Sequence, residues 1–334
     1  MSLDVGASSS TGGLEEHVAD RSPMAAQAAG ESERSARRAT STRVVTPTIS
    51  VRQRLREIWL SRELLIYLVR TEIKVKYKNS VLGLIWSMAA PAMTLAVYFF
   101  VFQLVLDNRM PDFVIFLFAG LLLWNLFSLG VQTGTGVVVN NGGIVKKVSF
   151  PREILALAAV GSACVFFFFQ AIVMVIFMVV LRSAPDLYYL PVTLLALVAG
   201  VVLACGLAVL LSAINVYLRD TQHLVEVLLT AWFWACPIVY QYQQNIGNRL
   251  GHKTWVYFLN PMVPLVLTFQ RCIYARPTAY ATVNGVRQSF AVLPDKTMLW
   301  YASLDLGVLA LGVVVFLVAL AVFGRLEGNF AEEL

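Results

Sequence analysis

Six apolar runs separated by short charged or turn-forming segments set the pattern of this 334-residue chain. They are roughly Val81–Val105, Phe113–Val138, Ile154–Leu181, Leu190–Ala213, Leu224–Tyr240 and Met298–Phe323. A helix needs about 17–25 apolar residues to cross a bilayer, so each run predicts a span, with Leu224–Tyr240 at the short end. Ahead of them the pattern is amphipathic. Val51, Leu55, Ile58 and Trp59 share one helical face, while Arg52, Arg54, Arg56 and Glu57 take the other. This predicts a helix in the membrane interface with Trp59 at headgroup depth. A second helical segment follows Ser61 and carries Arg62, Arg70, Lys74, Lys76 and Lys78. Between the last two runs, Trp255–Tyr274 is apolar but broken by Asn260-Pro261 and Pro264. Two crossings do not fit there, and a pair of short re-entrant helices does, since irregular backbone is tolerated where protein buries it or it lines a cavity. Asn284-Gly285 between β-prone residues is a type I′ hairpin signal. Contact with substrate or partner and a plain solvated turn are both open for it, and the turn is preferred.

Composition agrees with the spans. At 58% hydrophobic and 14% charged residues, with a mean hydropathy of +0.70, the chain reads as an integral membrane protein. Positive charge before the first run and again at Lys146, Lys147 and Arg152 places both termini in the cytoplasm. Residues 1–46 are poor in large apolar side chains and read as a disordered cytoplasmic tail. Residues 47–80 form the amphipathic interface helices. Residues 81–325 form the six-helix domain, with an outer gate region at 241–297, and 326–334 form a cytoplasmic tail. The expected fold class is therefore an all-α membrane protein. It has six transmembrane helices, an N-terminal cytoplasmic interface helix and outer-face re-entrant gate helices. A basic soluble domain is lacking, so nucleic acid is not an expected partner.

The candidate chemistry is sparse. The sequence holds no Walker A pattern, Rossmann fingerprint, His-Glu-x-x-His or Gly-x-Ser-x-Gly. Its three histidines, His17, His223 and His252, fall in separate regions and do not make a metal site. Cys164, Cys205, Cys236 and Cys272 lack ligand spacing, and small apolar packing suits them. The only carboxylates inside the predicted spans are Glu226 and Asp305, the latter placed where interface water reaches it. Neither acid–base catalysis nor proton coupling is well served by so few groups. Energy for uphill movement must come from another chain. What the spans do hold is aromatic: Tyr98, Phe99, Phe100, Trp124, Phe127, Trp232, Trp234 and Tyr240. Such rings can stack on the apolar faces of sugars. Interfacial belts and lipid packing are the preferred account of any single one of them, and a few of the set are expected to line a path.

Several motifs resemble one family. Tyr77-Lys78-x-Ser80-x-Leu82-Gly83-x-x-Trp86 is followed by Pro91. Ile144, Lys146, Lys147, Phe150, Pro151 and Arg152 form a second match, and Asn215 with Arg219-Asp220 a third. Cys236-Pro237-Ile238-x-Tyr240 and Asn260-Pro261-Met262 with Arg271 complete the set. Over about residues 51–325 the chain resembles ABC-2-type permeases that export polysaccharides, the Wzm-like subunits of O-antigen, teichoic acid and galactan exporters. The resemblance implies the ABC-2 permease fold and a homodimer in the plasma membrane, bound to two copies of a separate Wzt-like ATPase. ATP and Mg would sit on that ATPase, leaving this chain without cofactor or catalytic residue. The cargo implied is a polyprenyl-pyrophosphate-linked polysaccharide. Ile144, Lys146, Lys147, Phe150, Pro151 and Arg152 would couple to the ATPase, and Asn260, Pro261 and Arg271 would belong to the outer gate. Lys74, Lys76, Tyr77 and Lys78 mark a cytoplasmic entry at which pyrophosphate, anionic lipid and the ATPase are alternative occupants. The Ser/Ala/Arg-rich tail suggests an actinobacterial galactan exporter. Two other readings stand beside this one: a membrane-embedded enzyme of lipid-linked glycan metabolism, and an ABC-2 exporter of a drug or lipid. The shortage of intramembrane carboxylates weighs against the first, and the Lys-Lys-x-x-Phe-Pro-Arg loop with a short outer region against the second.

Overall fold

The long apolar runs fold as helices of bilayer length. The computed structural model describes residues 51–77, 85–105, 110–148, 150–247, 249, 251–283 and 286–334. The N-terminal tail, Lys78 and the Asn284-Gly285 tip lie outside them. Two helices come first, α1 (Val51–Leu60) and α2 (Arg62–Tyr77). Helix α3 (Ile85–Phe99) runs on as a π-helical turn at Phe100–Val105. Helix α4 (Phe113–Asn140) is followed by the single turn α5 (Gly142–Val145) and by α6 (Glu153–Val180). Helices α7 (Leu190–Tyr217) and α8 (Thr221–Trp234) come next. The short α9 (Thr254–Tyr257) and α10 (Met262–Ile273) precede a hairpin of β1 (Thr278–Val283) and β2 (Val286–Ala291). Helix α11 (Met298–Leu326) and the turn α12 (Phe330–Glu333) close the chain.

Four of these helices are long and apolar enough to cross a membrane: α4, α6, α7 with its preceding turn, and α11. At 1.5 Å per residue, 28 residues reach about 42 Å, more than the ~30 Å hydrocarbon core. Helices α4, α7 and α11 run from one end of the bundle to the other in the same direction, and α6 runs back between them. One end of the bundle, here the lysine end, carries the α4–α6 loop with Lys146 and Lys147. The other, the hairpin end, carries β1 and β2. The fifth predicted span is shorter than its apolar run. Helix α8 has 14 residues, about 21 Å, and stops at Trp234. The chain then turns through Cys236, Pro237 and Ile238, all buried. Pro237 supplies no N–H to continue the helix, and its carbonyl is taken by Gln270 Nε2 at 2.9 Å.

Helix α4 is the axis of the bundle. Its most apolar window is 78% buried, against 28–44% in the other three long helices. It packs against α6 and α7, and α7 lies along α11. The α7–α11 contact is close because small residues meet backbone. A Cβ on Gly206 would fall 2.9 Å from Phe316 N, and one on Gly312 would fall 3.1 Å from Leu203 N. The hairpin pairs antiparallel from Thr278↔Ala291 to Val283↔Val286, in the register that a two-residue turn requires. It adds two short strands to an otherwise helical membrane protein.

Helix α1 faces the protein differently from its sequence pattern. Trp59 and Leu60 are exposed, and Leu55 also points outward. Val51 and Ile58 pack on the core, and Arg54 between them is buried. The polar face of the pattern thus contributes an inward arginine, because the buried carboxylate of Glu153 and the part-buried one of Glu327 pair with it.

Candidate functional site

A groove open along one side runs between α3, α4 and α8 and encloses about 340 Å³. Helix α4 contributes Trp124, Asn125, Ser128 and Gln132. The polar three lie at i, i+3 and i+7 and so share one stripe. Helix α8 contributes Glu226, Thr230, Phe233 and Trp234, and α3 contributes Thr94 and Tyr98. Tyr98 stacks on Phe233 with centroids 5.8 Å apart and meets Trp234 edge-on at 6.4 Å. Trp124 meets Phe233 at 5.8 Å. The wall therefore sets four aromatic rings beside hydroxyl, amide and carboxylate groups. Trp234 is 52% exposed, so its face is available to a ligand. Rings and polar groups arranged in this way can stack on apolar ligand faces and exchange hydrogen bonds with polar ones.

The aromatic residues expected on a path separate into different places. Tyr98, Trp124 and Trp234 come together in the groove. Phe127 is fully buried beneath it, edge-on to Trp232 at 5.2 Å. Phe99 lies on the other face of α3, and Phe100 is exposed in the π-helical turn. Tyr240 sits past the end of α8, where its hydroxyl shares a 2.7 Å hydrogen bond with that of Tyr257. Phe233, Asn125, Ser128, Gln132 and Thr230 had no motif to mark them. The signal available was polar spacing inside apolar helices, at 125/128/132 and 226/230.

Asn260 fixes the end of α8, the helix that carries one wall of the groove. Its Oδ1 accepts from Trp232 Nε1 at 2.7 Å and from the Met262 N–H at 3.1 Å. Its Nδ2 donates to the Ala235 carbonyl at 3.3 Å. One amide thereby closes the end of α8 and starts α10, with Pro261 at the N-cap position. Helix α10 begins beside Trp232, level with the middle of α4, and returns to the hairpin end. There Tyr274 Oη donates to the Pro111 carbonyl at 3.0 Å. The excursion is re-entrant but unequal, one turn of helix before Asn260 and three after it. Arg271 anchors its far end. Nη1 lies 3.3 Å from Asp186 Oδ2, and the guanidinium sits 4.2 Å above the Tyr189 ring. Asp305 is fully buried, away from interface water, and its Oδ2 accepts from Thr268 Oγ1 at 2.9 Å. It ties α11 to α10.

At the lysine end, Ile144, Lys146 and Lys147 project from the loop, while Phe150, Pro151 and Arg152 turn back onto the protein. Arg152 Nη1 donates to the Glu327 carbonyl at 2.9 Å, and its guanidinium lies over Phe330. Arg54 joins three elements. It pairs with Glu153 at the start of α6 and, at 2.9 Å, with Glu327 after α11. Gly324 leaves room for it, since a Cβ there would lie 2.7 Å from Arg54 Nε. The exposed half of the loop thus stands on a base pinned by buried ion pairs. Lys74 is exposed near the end of α2. The side chains of Lys76 and Tyr77, like all of Lys78, lie outside the described residues.

Among the described residues no group of three or more His, Cys, Asp or Glu side chains suits a metal ion. The geometry describes an aromatic and polar groove along α3, α4 and α8, and an exposed basic loop at the lysine end. The chain is similar to the O-antigen export system permease protein RfbA of Myxococcus xanthus, 29% identical over 84% of this chain and 98% of that protein. It is also similar to two RfbA permeases of Klebsiella pneumoniae, at 25% and 26% identity over 81% of this chain and 94% of each. Residues 63–274 match the ABC-2 type transporter family, and this multi-pass membrane protein belongs to it.

Proposed function

We propose that this chain is the permease subunit of an ABC transporter that exports a polyprenyl-pyrophosphate-linked polysaccharide across the plasma membrane. The observation that carries the reading is the groove, where Tyr98, Phe233 and Trp234 stand opposite a stripe of Asn125, Ser128 and Gln132. Rings bury the apolar faces of sugars, and amides and hydroxyls replace their water, with little demand on sequence or linkage. A polymer can therefore slide. The relatives named as O-antigen export permeases support the same cargo class.

One copy supplies an open groove, and a homodimer would close two of them into a conduit. The chain works without a nucleotide site of its own, and ATP and Mg belong to two copies of a partner ATPase. Lys146, Lys147 and Ile144 form the docking surface, with both termini on the same, cytoplasmic side. Lys74, Lys76 and Lys78 receive the pyrophosphate as point charges. A cell-wall galactan is the proposed cargo.

Depletion of the protein in its host tests this. Completed lipid-linked polymer should accumulate on the cytoplasmic face while the envelope polymer falls. Loss of polymer without accumulation would assign the chain to synthesis, and unchanged glycan pools would overturn the reading.

A further inference from the structure

Helix α3 has a second lined face. Ala92, Leu95, Ala96 and Phe99, spaced i, i+3, i+4 and i+7, border a cavity of about 370 Å³ closed by Phe118 of α4 and Phe177 of α6. Its wall is almost wholly apolar. Thr94 and Tyr98 of the groove lie at the same depth on the opposite side of α3. The one polar side chain at the cavity is Gln170, whose Oε1 accepts from Asn125 Nδ2 at 3.2 Å. Asn125 belongs to the groove wall, so one hydrogen bond links the polar-aromatic groove to the apolar slot across the helices between them.

We infer that this slot holds the isoprenoid chain of the cargo whose glycan occupies the groove. The inference rests on the proposed function. An amphiphile needs two adjacent environments of opposite character, and α3 presents both at one depth. Lipid tails are as apolar as the slot, so transfer out of the bilayer does not drive occupancy. Packing against the rings of Phe99, Phe118 and Phe177 does, since a void forfeits those dispersion contacts. Ala92 and Ala96 keep the entrance wide, and a bulky residue at either would fill it.

The test uses the permease–ATPase complex in nanodiscs and a polyprenyl diphosphate-linked oligosaccharide with a diazirine in the first isoprene units. Adducts mapped by mass spectrometry should concentrate on Leu95, Phe118 and Phe177, several-fold above the exposed Val179. Ala96→Trp should abolish the enrichment. Ala92→Leu, a milder filler, should reduce it if Ala96→Trp fails to fold. A diazirine phosphatidylcholine should show no enrichment. Equal labelling of slot and Val179, equal enrichment by phosphatidylcholine, or insensitivity to both fillers would overturn the assignment. So would a disulfide between two Leu95→Cys copies, which would give the slot to the second subunit. Sealed vesicles read ATP-dependent glycan export with the same probe. Export without slot labelling overturns the slot alone, and absence of both overturns the proposed function with it.

Discussion

Arg54→Ala removes the cation that pairs with both Glu153 and Glu327 at the lysine end. Glu153 is 1% exposed, and its Oε2 already has no hydrogen-bond partner, so the lost ion pair has no replacement nearby. Breaking a buried pair from one side costs about 3–5 kcal/mol, because the remaining charge stays desolvated. At about 1.4 kcal/mol per factor of ten, that is roughly two to three and a half orders of magnitude in the folded population. Glu327 suffers less, since Arg152 stands 3.8 Å away. The damage should therefore trace to Glu153. Arg54→Ala/Glu153→Gln removes the orphaned charge and should recover most of the loss. Thermal unfolding of the detergent-purified protein, followed by fluorescence-detected size exclusion, reads the order wild type, double variant, single variant. Equal midpoints for Arg54→Ala and wild type, or a double variant as unstable as the single, would refute this account.

Gly324→Ala crowds the same guanidinium, and overpacking of about 1–3 kcal/mol should appear as a lower unfolding midpoint. Asn260→Ala frees Trp232 Nε1 and the Met262 N–H, costing about 1–3 kcal/mol for each group left buried without a partner, and should expose residues 243–259 to limited proteolysis. Trp234→Ala removes the more exposed ring of the groove, so glycan export should fall while the unfolding midpoint stays near wild type, whereas adding Tyr98→Ala should lower export further and the midpoint too, because Tyr98 stacks on Phe233. Lys146→Glu with Lys147→Glu reverses two exposed charges, and ATPase copurification should drop at unchanged thermal stability. Asp305→Asn keeps an acceptor for Thr268 and removes a buried carboxyl, so the midpoint should hold or rise.

The sequence by itself determined the membrane class, the four long helices, the breaks between them and the hairpin. Each rests on local physics. Apolar length sets spans, Asn260-Pro261 interrupts a helix, and Asn284-Gly285 selects the register of its flanking strands. Sequence motifs also located the loop whose lysines project and the asparagine that staples α8 to α10. Only the tertiary structure decided the partners. Arg54 reads as surface charge on an amphipathic helix, and its burial follows from Glu153 and Glu327, residues 99 and 273 positions away. The aromatic runs likewise carry no mark of which ring meets a groove, a core or a slot. Tyr98 and Phe99 are neighbours in sequence, yet one helical step of about 100° sends them to opposite sides of α3. The end of α8 at Trp234 was also hidden, because apolar length continues to Tyr240 while Gln270, on another helix, holds the turn that stops it.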